Sequence, residues 1–184
     1  RYILPFVAAA LTMRDRPEED EAKARILRAF PSVSIILIGH NEEDALEACV
    51  RSLHEQSFNN FEIVIVSDGS TDRMATVARS LVARGLATTI VTTDLRGGKS
   101  SGINLACRSA KGEILINVDC DCSFDRYAVE RLLEPFDDPR VAAVCGDIAP
   151  RNGNASLISQ IQEIEYLQAI SVGKRIANAI DQVV

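Results

Sequence analysis

Tryptophan is absent from this chain, and the aromatic residues together make up 5% of it. That supply is too thin for a lectin-like surface on which stacked rings hold sugars. A basic excess is missing as well: 20 Lys and Arg stand against 26 Asp and Glu, for a net charge of −6. A nucleic-acid binder needs a basic face, so no nucleic-acid partner is expected. An anionic ligand held locally by a cation and a few basic groups remains open. Five cysteines make an odd count without framework-like spacing. That speaks against a disulfide-stapled secreted domain and predicts reduced thiols in a cytosolic setting. No complete transmembrane span is present, since crossing a bilayer takes ~20 apolar residues and the apolar stretch 2–13 is interrupted by Pro5. There is also no complete signal peptide, no internal repeat and no low-complexity segment.

What remains is an ordinary globular composition. The 184 residues are 47% hydrophobic and 25% charged, enough for one domain whose core needs no staples. Because the first residue is Arg1, the chain is expected to be a piece of a longer protein. Residues 1–30 read as an N-terminal apolar segment and a helix leading into the domain, and residues 31–184 as the domain itself. Segment 2–13 has two readings, the tail of a longer membrane helix or a stretch packed on the domain. Pro17 followed by Glu18, Glu19, Asp20 and Glu21 suits a helix N-terminus. That helix is expected to reach about Phe30, where Pro31 stops it.

Strand and helix patterns then alternate. Val33–Ile38 and Phe61–Val66 are apolar runs of the kind buried on both faces of a parallel sheet. Ala87–Val91 is a weaker third strand, Ile114–Val118 a buried fourth and Val141–Cys145 a further one. Between them lie helical stripes. Leu46, Cys49, Val50 and Leu53 follow an Asn41/Asp44 pair that reads as an N-cap. A second helix runs from about Asp72 to Ala83 and is closed by Gly85. A third carries Ile103, Leu105, Ala106 and Ala110, and a fourth spans Asp125–Phe136. The last pattern covers about 155–180 with a break at Gly173. Its stripe of Leu157, Ile161, Ile164 and Leu167 reads as core packing or, beside Lys174 and Arg175, as a face lying on a membrane. This spacing predicts successive βαβ units: an α/β fold, a mostly parallel sheet flanked by helices.

The chemistry gathers where strands end. Gly112–Cys122 delivers Asp119 and Asp121 from the end of an apolar run. In extended chain the two carboxylates share one face, with Cys120 and Cys122 on the other. Carboxylates so close raise each other's pKa unless a cation lies between them. An oxygen-only ligand set selects a hard ion, Mg2+ or Mn2+, completed by water and phosphate. Cys120 and Cys122 imitate a Cys-x-Cys metal site only superficially, and the thiols are expected to be buried and free. Asn41, Asp68, the loop 94–99, and Asp119 with Asp121 all follow the carboxyl ends of successive strands, which in an open α/β sheet share one edge. Two nucleotide motifs fail. Gly39-His40-Asn41-Glu42 is not the dinucleotide G-x-G-x-x-G, and Gly98-Lys99-Ser100 matches only the second half of an NTPase phosphate loop, Thr93 standing where its first glycine belongs. Lys99 in its glycine-rich turn still suits a phosphate; the plainer reading is a solvated lysine. Asp72 stabilises a helix first turn without any ligand, and Asp94 either supports Lys99 or faces water.

Four segments carry a family resemblance: Val33–Glu43 (VSIILIGHNEE), Glu62–Asp72 (EIVIVSDGSTD), Gly98–Asn104 (GKSSGIN) and Val118–Asp121 (VDCD). In this order they resemble the landmarks of family 2 glycosyltransferases of the GT-A fold, over roughly Val33–Ile180. Val144–Asn152 and Gln162–Leu167 more weakly resemble the membrane-bound branch that includes chitin-oligosaccharide, hyaluronan, cellulose and poly-N-acetylglucosamine synthases. The resemblance implies a Rossmann-like nucleotide-diphospho-sugar transferase fold and a UDP-sugar donor. Asp68 would accept the uracil N3–H, Lys99 would meet the diphosphate, Asp119 would contact the ribose or metal region, and Asp121 would hold Mg2+ or Mn2+. Where the family usually has Pro and an aromatic, this chain has Gly39 and His40, and Ser67 stands where Asp is frequent. His40 covers the base with its ring or is only a turn residue. Asn41 and Glu42 lie beside it on the nucleotide side, Asn41 equally as helix cap or ligand contact.

The activity expected is metal-dependent, inverting transfer of a hexosyl group from a UDP-sugar to a saccharide, lipid-linked or other hydroxyl acceptor. A full-length protein at the cytoplasmic face of the cell membrane is implied, with the present chain soluble. The family's catalytic base and its Gln-Arg-Trp-type motif are expected beyond Val184, so this chain alone is expected to bind without transferring. The alternative is a non-catalytic nucleotide-sugar-binding or regulatory module of the same fold, which Ser67 and His40 favour. A nucleotidyltransferase would want a basic glycine-rich loop after the first strand, where this chain has His40 and acids.

Overall fold

The computed structural model describes residues 32–138, 141–146, 148 and 156–173. The expected segment 2–13 and helix 17–30 lie outside these residues, as do Lys174 and Arg175. The chain divides into two compact units, Asp20–Ala142 and a second made of Arg1–Glu19 with Ala143–Val184.

In the first unit four parallel strands, β1 (Val33–Gly39), β2 (Phe61–Asp68), β3 (Thr89–Thr93) and β4 (Ile114–Asp119), lie in the order β3-β2-β1-β4. The helices are α1 (Leu46–His54), α2 (Met74–Ala83), α3 (Lys99–Ser109) and α4 (Ala128–Leu133), the last running into a 3-10 turn, Glu134–Asp137. Both faces of the sheet are covered. Val33, Ile35, Leu37, Ile63 and Ile65 pack with α1, α2 and α4, while Ile36, Ile38, Val64 and Val66 pack with Ala106 and Ile103 of α3. Successive residues of a strand point to opposite faces, so both parities of β1 and β2 are apolar and nearly every residue is buried. Gly102 lets α3 settle on β1: a Cβ there would stand 2.6 Å from Ile38 Cγ2.

Local signals account for some boundaries. Gly85, at φ +72°, ends α2 as expected, with the Leu86 amide reaching the Leu81 carbonyl at 2.9 Å and its own amide reaching Val82 at 3.0 Å, the paired bonds of a glycine-closed helix end. Other expectations are corrected. Asn41 does not cap α1, which begins at Leu46 behind a turn over 43–45 with no side-chain cap. β3 starts two residues later than expected, and residues 141–146 form no strand. β4 is not buried on both sides: Leu115, Asn117 and Asp119 are exposed, because among the described residues α3 packs over β1 and β2 and leaves that face of β4 uncovered. Cys49 and Cys120 are buried and in no disulfide, as expected, but Cys107 and Cys145 are exposed.

In the second unit α5 (Leu157–Tyr166) starts at Ser156, whose Oγ accepts the Ser159 amide at 3.1 Å, and gives way to a π-helical segment, Leu167–Val172. The stripe Leu157, Ile161, Ile164 and Leu167 is exposed, so its core-packing reading is not met among the described residues. No helix of the described residues is long and apolar enough to cross a membrane.

Candidate functional site

The strand order reverses between β1 and β4, the position at which open α/β sheets place their ligand crevice. An open cleft of about 270 Å³ lies there, near the lower end of ordinary small-molecule sites. Ile38, Gly39, His40 and Glu42 line it from the end of β1, Asp68 from β2, and Asp119, Cys120 and Asp121 from β4. Arg96, Gly98 and Lys99 come from the glycine-rich loop and the first residue of α3. Of the expected site residues, six therefore meet in one cleft: His40, Glu42, Asp68, Lys99, Asp119 and Asp121.

Asn41 is not among the lining residues. It adopts φ +61°, and its side chain ties the β1–α1 loop to the β2–α2 loop. Its Oδ1 accepts the amides of Thr71 at 2.8 Å and Asp72 at 3.3 Å, while its own amide donates to Ser70 Oγ at 3.2 Å. Beside it runs a reciprocal clamp. The Glu43 amide donates to Asp72 Oδ2 at 3.0 Å, and the Arg73 amide donates to Glu43 Oε2 at 2.6 Å. Asp72 Oδ1 also accepts the Met74 amide at 3.0 Å, so Asp72 serves the start of α2, as an acid there can without a ligand. The Arg73 guanidinium and amide hold the Glu43 carboxyl below its usual value.

Asp68 is 3% exposed. Its carboxylate accepts the Gly97 amide at 2.8 Å, the Gly98 amide at 2.7 Å and the Thr93 hydroxyl at 3.2 Å. Burial pushes this carboxyl up, but the two amides, the hydroxyl and His40 outweigh it and leave its pKa lowered. Thr93 stands opposite Asp68 in the β2–β3 register, and its Oγ1 accepts the Gly69 amide at 3.0 Å. Gly69, at φ +60°, lies directly under the loop: a Cβ there would stand 2.4 Å from the Arg96 nitrogen. His40 is anchored too, its Nδ1 being 2.8 Å from the Asp68 carbonyl oxygen. A carbonyl only accepts, so Nδ1 carries the proton.

At the β4 side Lys99 Nζ is ion-paired with Asp119. Asp94, read as either supporting Lys99 or facing water, is exposed and does not line the cleft, which fits the second reading. The strand ends at Asp119, and Cys120 and Asp121 form a turn, so both carboxylates line the cleft without the extended alternation that the sequence implied. Burial raises the Glu42 carboxyl, and the carboxylates of Asp121, Asp72 and Asp119 raise it further. Negative charge is thus concentrated at this end. Cys120 is buried, packs over Gly39 and has its thiol pushed up by burial and by Cys49, so it is an inert neutral group.

Could these residues hold a hard cation? Among the described residues no group of three or more His, Cys, Asp or Glu forms a closed metal cage. Two carboxylates in a cleft with concentrated negative charge fit an ion that draws its remaining ligands from water and phosphate. Arg96 was missed by sequence reasoning, although a second basic residue beside Lys99 in a glycine-rich loop was the available signal. Thr93 was missed because its part depends on register.

Comparison with known proteins agrees with this architecture. Residues 34–182 match the family model for glycosyl transferase family 2. An N-acetylglucosaminyltransferase of Rhizobium meliloti (strain 1021) is 28% identical over 142 residues, covering 76% of this chain and 33% of that protein. A poly-beta-1,6-N-acetyl-D-glucosamine synthase of Staphylococcus aureus (strain MSSA476) is 28% identical over 146 residues, covering 78% and 34%. The chain spans about a third of the length of the curated relatives it matches. Among solved structures, the mannosyltransferase PcManGT of Pyrobaculum calidifontis, in complex with GDP-Man and Mn2+, is similar in fold with a TM-score of 0.56. It is 24% identical, and the match covers 75% of this chain and 42% of that one. S. aureus TarS gives a TM-score of 0.52 at 23% identity, covering 66% and 23%.

Proposed function

This chain belongs to glycosyl transferase family 2 and has the GT-A fold, and on that premise we propose that its cleft binds a UDP-sugar with Mg2+ or Mn2+ for inverting transfer to a hydroxyl acceptor. The observation that carries this reading is the meeting of Asp68, Lys99, Asp119 and Asp121 in one cleft at the strand-order reversal. Carboxylates for a hard ion and basic groups for a diphosphate are both present there. Similarity to an N-acetylglucosaminyltransferase and a poly-beta-1,6-N-acetyl-D-glucosamine synthase favours N-acetylglucosamine as the sugar.

Each side chain has a task in this reading. Asp121, with Asp119, would hold the divalent ion, which supplies neutralisation of the departing diphosphate when bound. Lys99 and Arg96 add positive charge on the phosphate oxygens, where charge develops as the anomeric bond breaks. His40 and Glu42 line the nucleotide side, His40 with its ring held edge-on by Asp68 rather than free to turn. The acceptor hydroxyl attacks the anomeric carbon from the opposite face and inverts it, giving its proton to a base. No residue of this cleft is assigned that role; we place it further along the full-length chain, which we propose to act at the cytoplasmic face of the membrane on a saccharide or lipid-linked acceptor.

Titration calorimetry of the 184-residue chain tests the reading. UDP with Mn2+ is expected to bind, and Asp121→Asn is expected to lose the metal-dependent part of that binding. Transfer from UDP-N-acetylglucosamine is expected only with the full-length protein. Absence of UDP binding with Mn2+ present would overturn the reading, and full-length protein that binds yet never transfers would mark a non-catalytic module.

A further inference from the structure

We propose that Asp68 is the positioning residue of the glycine-rich loop: its carboxylate holds the Gly97 and Gly98 amides so that Arg96 and Lys99 are presented to the diphosphate before any ligand arrives. The inference rests on the nucleotide-sugar reading of the cleft. It assigns Asp68 a different task from the base contact that the family resemblance implies.

Two adjacent glycines are the costliest residues to order, because each gives up the widest conformational freedom. Gly98 lies at φ +83° with nothing within 4 Å of a Cβ position, so packing does not hold it. Asp68 does. Oδ1 takes the Gly97 amide and the Thr93 hydroxyl, and Oδ2 takes the Gly98 amide. Hydrogen bonds to a charged acceptor are about twice as strong as neutral ones. An ionised carboxylate has about four acceptor sites; the two loop amides fill two of them and the Thr93 hydroxyl lies within reach of a third, in a side chain that is 3% exposed. Gly98 is also the residue before α3, so the same bonds set where the helix begins and where Lys99 leaves it. Thr93 braces the other side, donating its one proton to Asp68 Oδ1 or to the Leu95 carbonyl at 3.0 Å while accepting the Gly69 amide. Buried acid and loop amides therefore form one unit under the basic residues of the cleft.

Asp68→Asn replaces one acceptor oxygen with a donor that faces an amide, leaving one loop amide unpaired. With manganese pyrophosphate, UDP and CDP as probes on the 184-residue chain, affinity for pyrophosphate and UDP is expected to fall by the same factor, about tenfold. Preference for UDP over CDP is expected to stay unchanged. Pyrophosphate binding left intact while UDP falls to the level of CDP would overturn the proposal, since Asp68 would then be reading the base; the nucleotide-sugar reading would survive. Failure of wild type to bind either UDP or pyrophosphate would overturn both. Amide exchange supplies a check that does not need the variant. The Gly97 and Gly98 amides of ligand-free wild type are expected to be protected, and exchange at the rate of an unstructured peptide would overturn the proposal.

Discussion

Lys99 forms an ion pair with Asp119 inside the cleft that both residues line. The protein's own cation thus occupies one of the two carboxylates proposed to face a divalent ion. Both side chains are about half exposed, 46% and 53%, so the pair adds at most ~1 kcal/mol to stability. Its consequence is for binding. Lys99→Met is expected to tighten Mn2+ binding without nucleotide by roughly tenfold, as a neighbouring positive charge is removed, and to weaken UDP binding in the presence of Mn2+. Equal Mn2+ affinity in the two proteins, measured by electron paramagnetic resonance, would count against a shared site.

Asn41 holds two loops together from a left-handed backbone. Asn41→Gly relieves the strain at φ +61° but removes the bonds to Thr71 and Asp72, whereas Asn41→Ala loses the same bonds and keeps the strain. Urea unfolding is expected to show a loss of about 1–2 kcal/mol for Ala and a smaller one for Gly. A larger loss for Gly than for Ala would show that the backbone strain, which alone separates the two variants, is misassigned.

Gly69 and Gly85 both have positive φ, but only Gly69 lies against other atoms, with the Arg96 backbone 2.4 Å from a would-be Cβ. Gly85→Ala is expected to cost about 1 kcal/mol from backbone conformation alone. Gly69→Ala is expected to cost clearly more and to lower affinity for UDP with Mn2+, because the Arg96 loop must move. Equal thermal shifts and unchanged affinity would contradict that close approach.

Asp68 also gives acid unfolding a sign. Its folded-state pKa is lowered, so its contribution is fully present above the unfolded value of about 3.9 and is lost as pH falls through the folded value. Stability of wild type is expected to decline more steeply below about pH 4 than that of Asp68→Asn. Glu43 and Glu47, also lowered, are common to both proteins and cancel in the difference. Parallel acid limbs would place the source of the shift elsewhere.

Much of this arrangement was readable along the chain. The apolar runs of β1 and β2, the closing glycine at Gly85 and the polar residues after each strand are local signals, set by side-chain type and spacing. They were enough to predict a parallel α/β sheet with Asp68, Lys99, Asp119 and Asp121 at one rim. The exposed side of β4 was not readable, because Ile114, Leu115 and Ile116 are all apolar and the run shows no alternation. Nor was the missing strand at 141–145, where apolar composition is present but no neighbouring strand among the described residues supplies a ladder.

Sequence by itself determined which residues reach the rim, since a strand's hydrophobic run dictates where its polar successor emerges. Tertiary structure alone decided which partner each polar group takes. Asn41 joins Thr71 instead of capping its own helix, Lys99 meets Asp119 and not Asp94, and Asp68 closes on the amides of Gly97 and Gly98. The physical reason is that a hydrogen bond is specified within a few tenths of an ångström. Distances that fine depend on strand register and helix packing across the whole sheet, which no local stretch of sequence encodes.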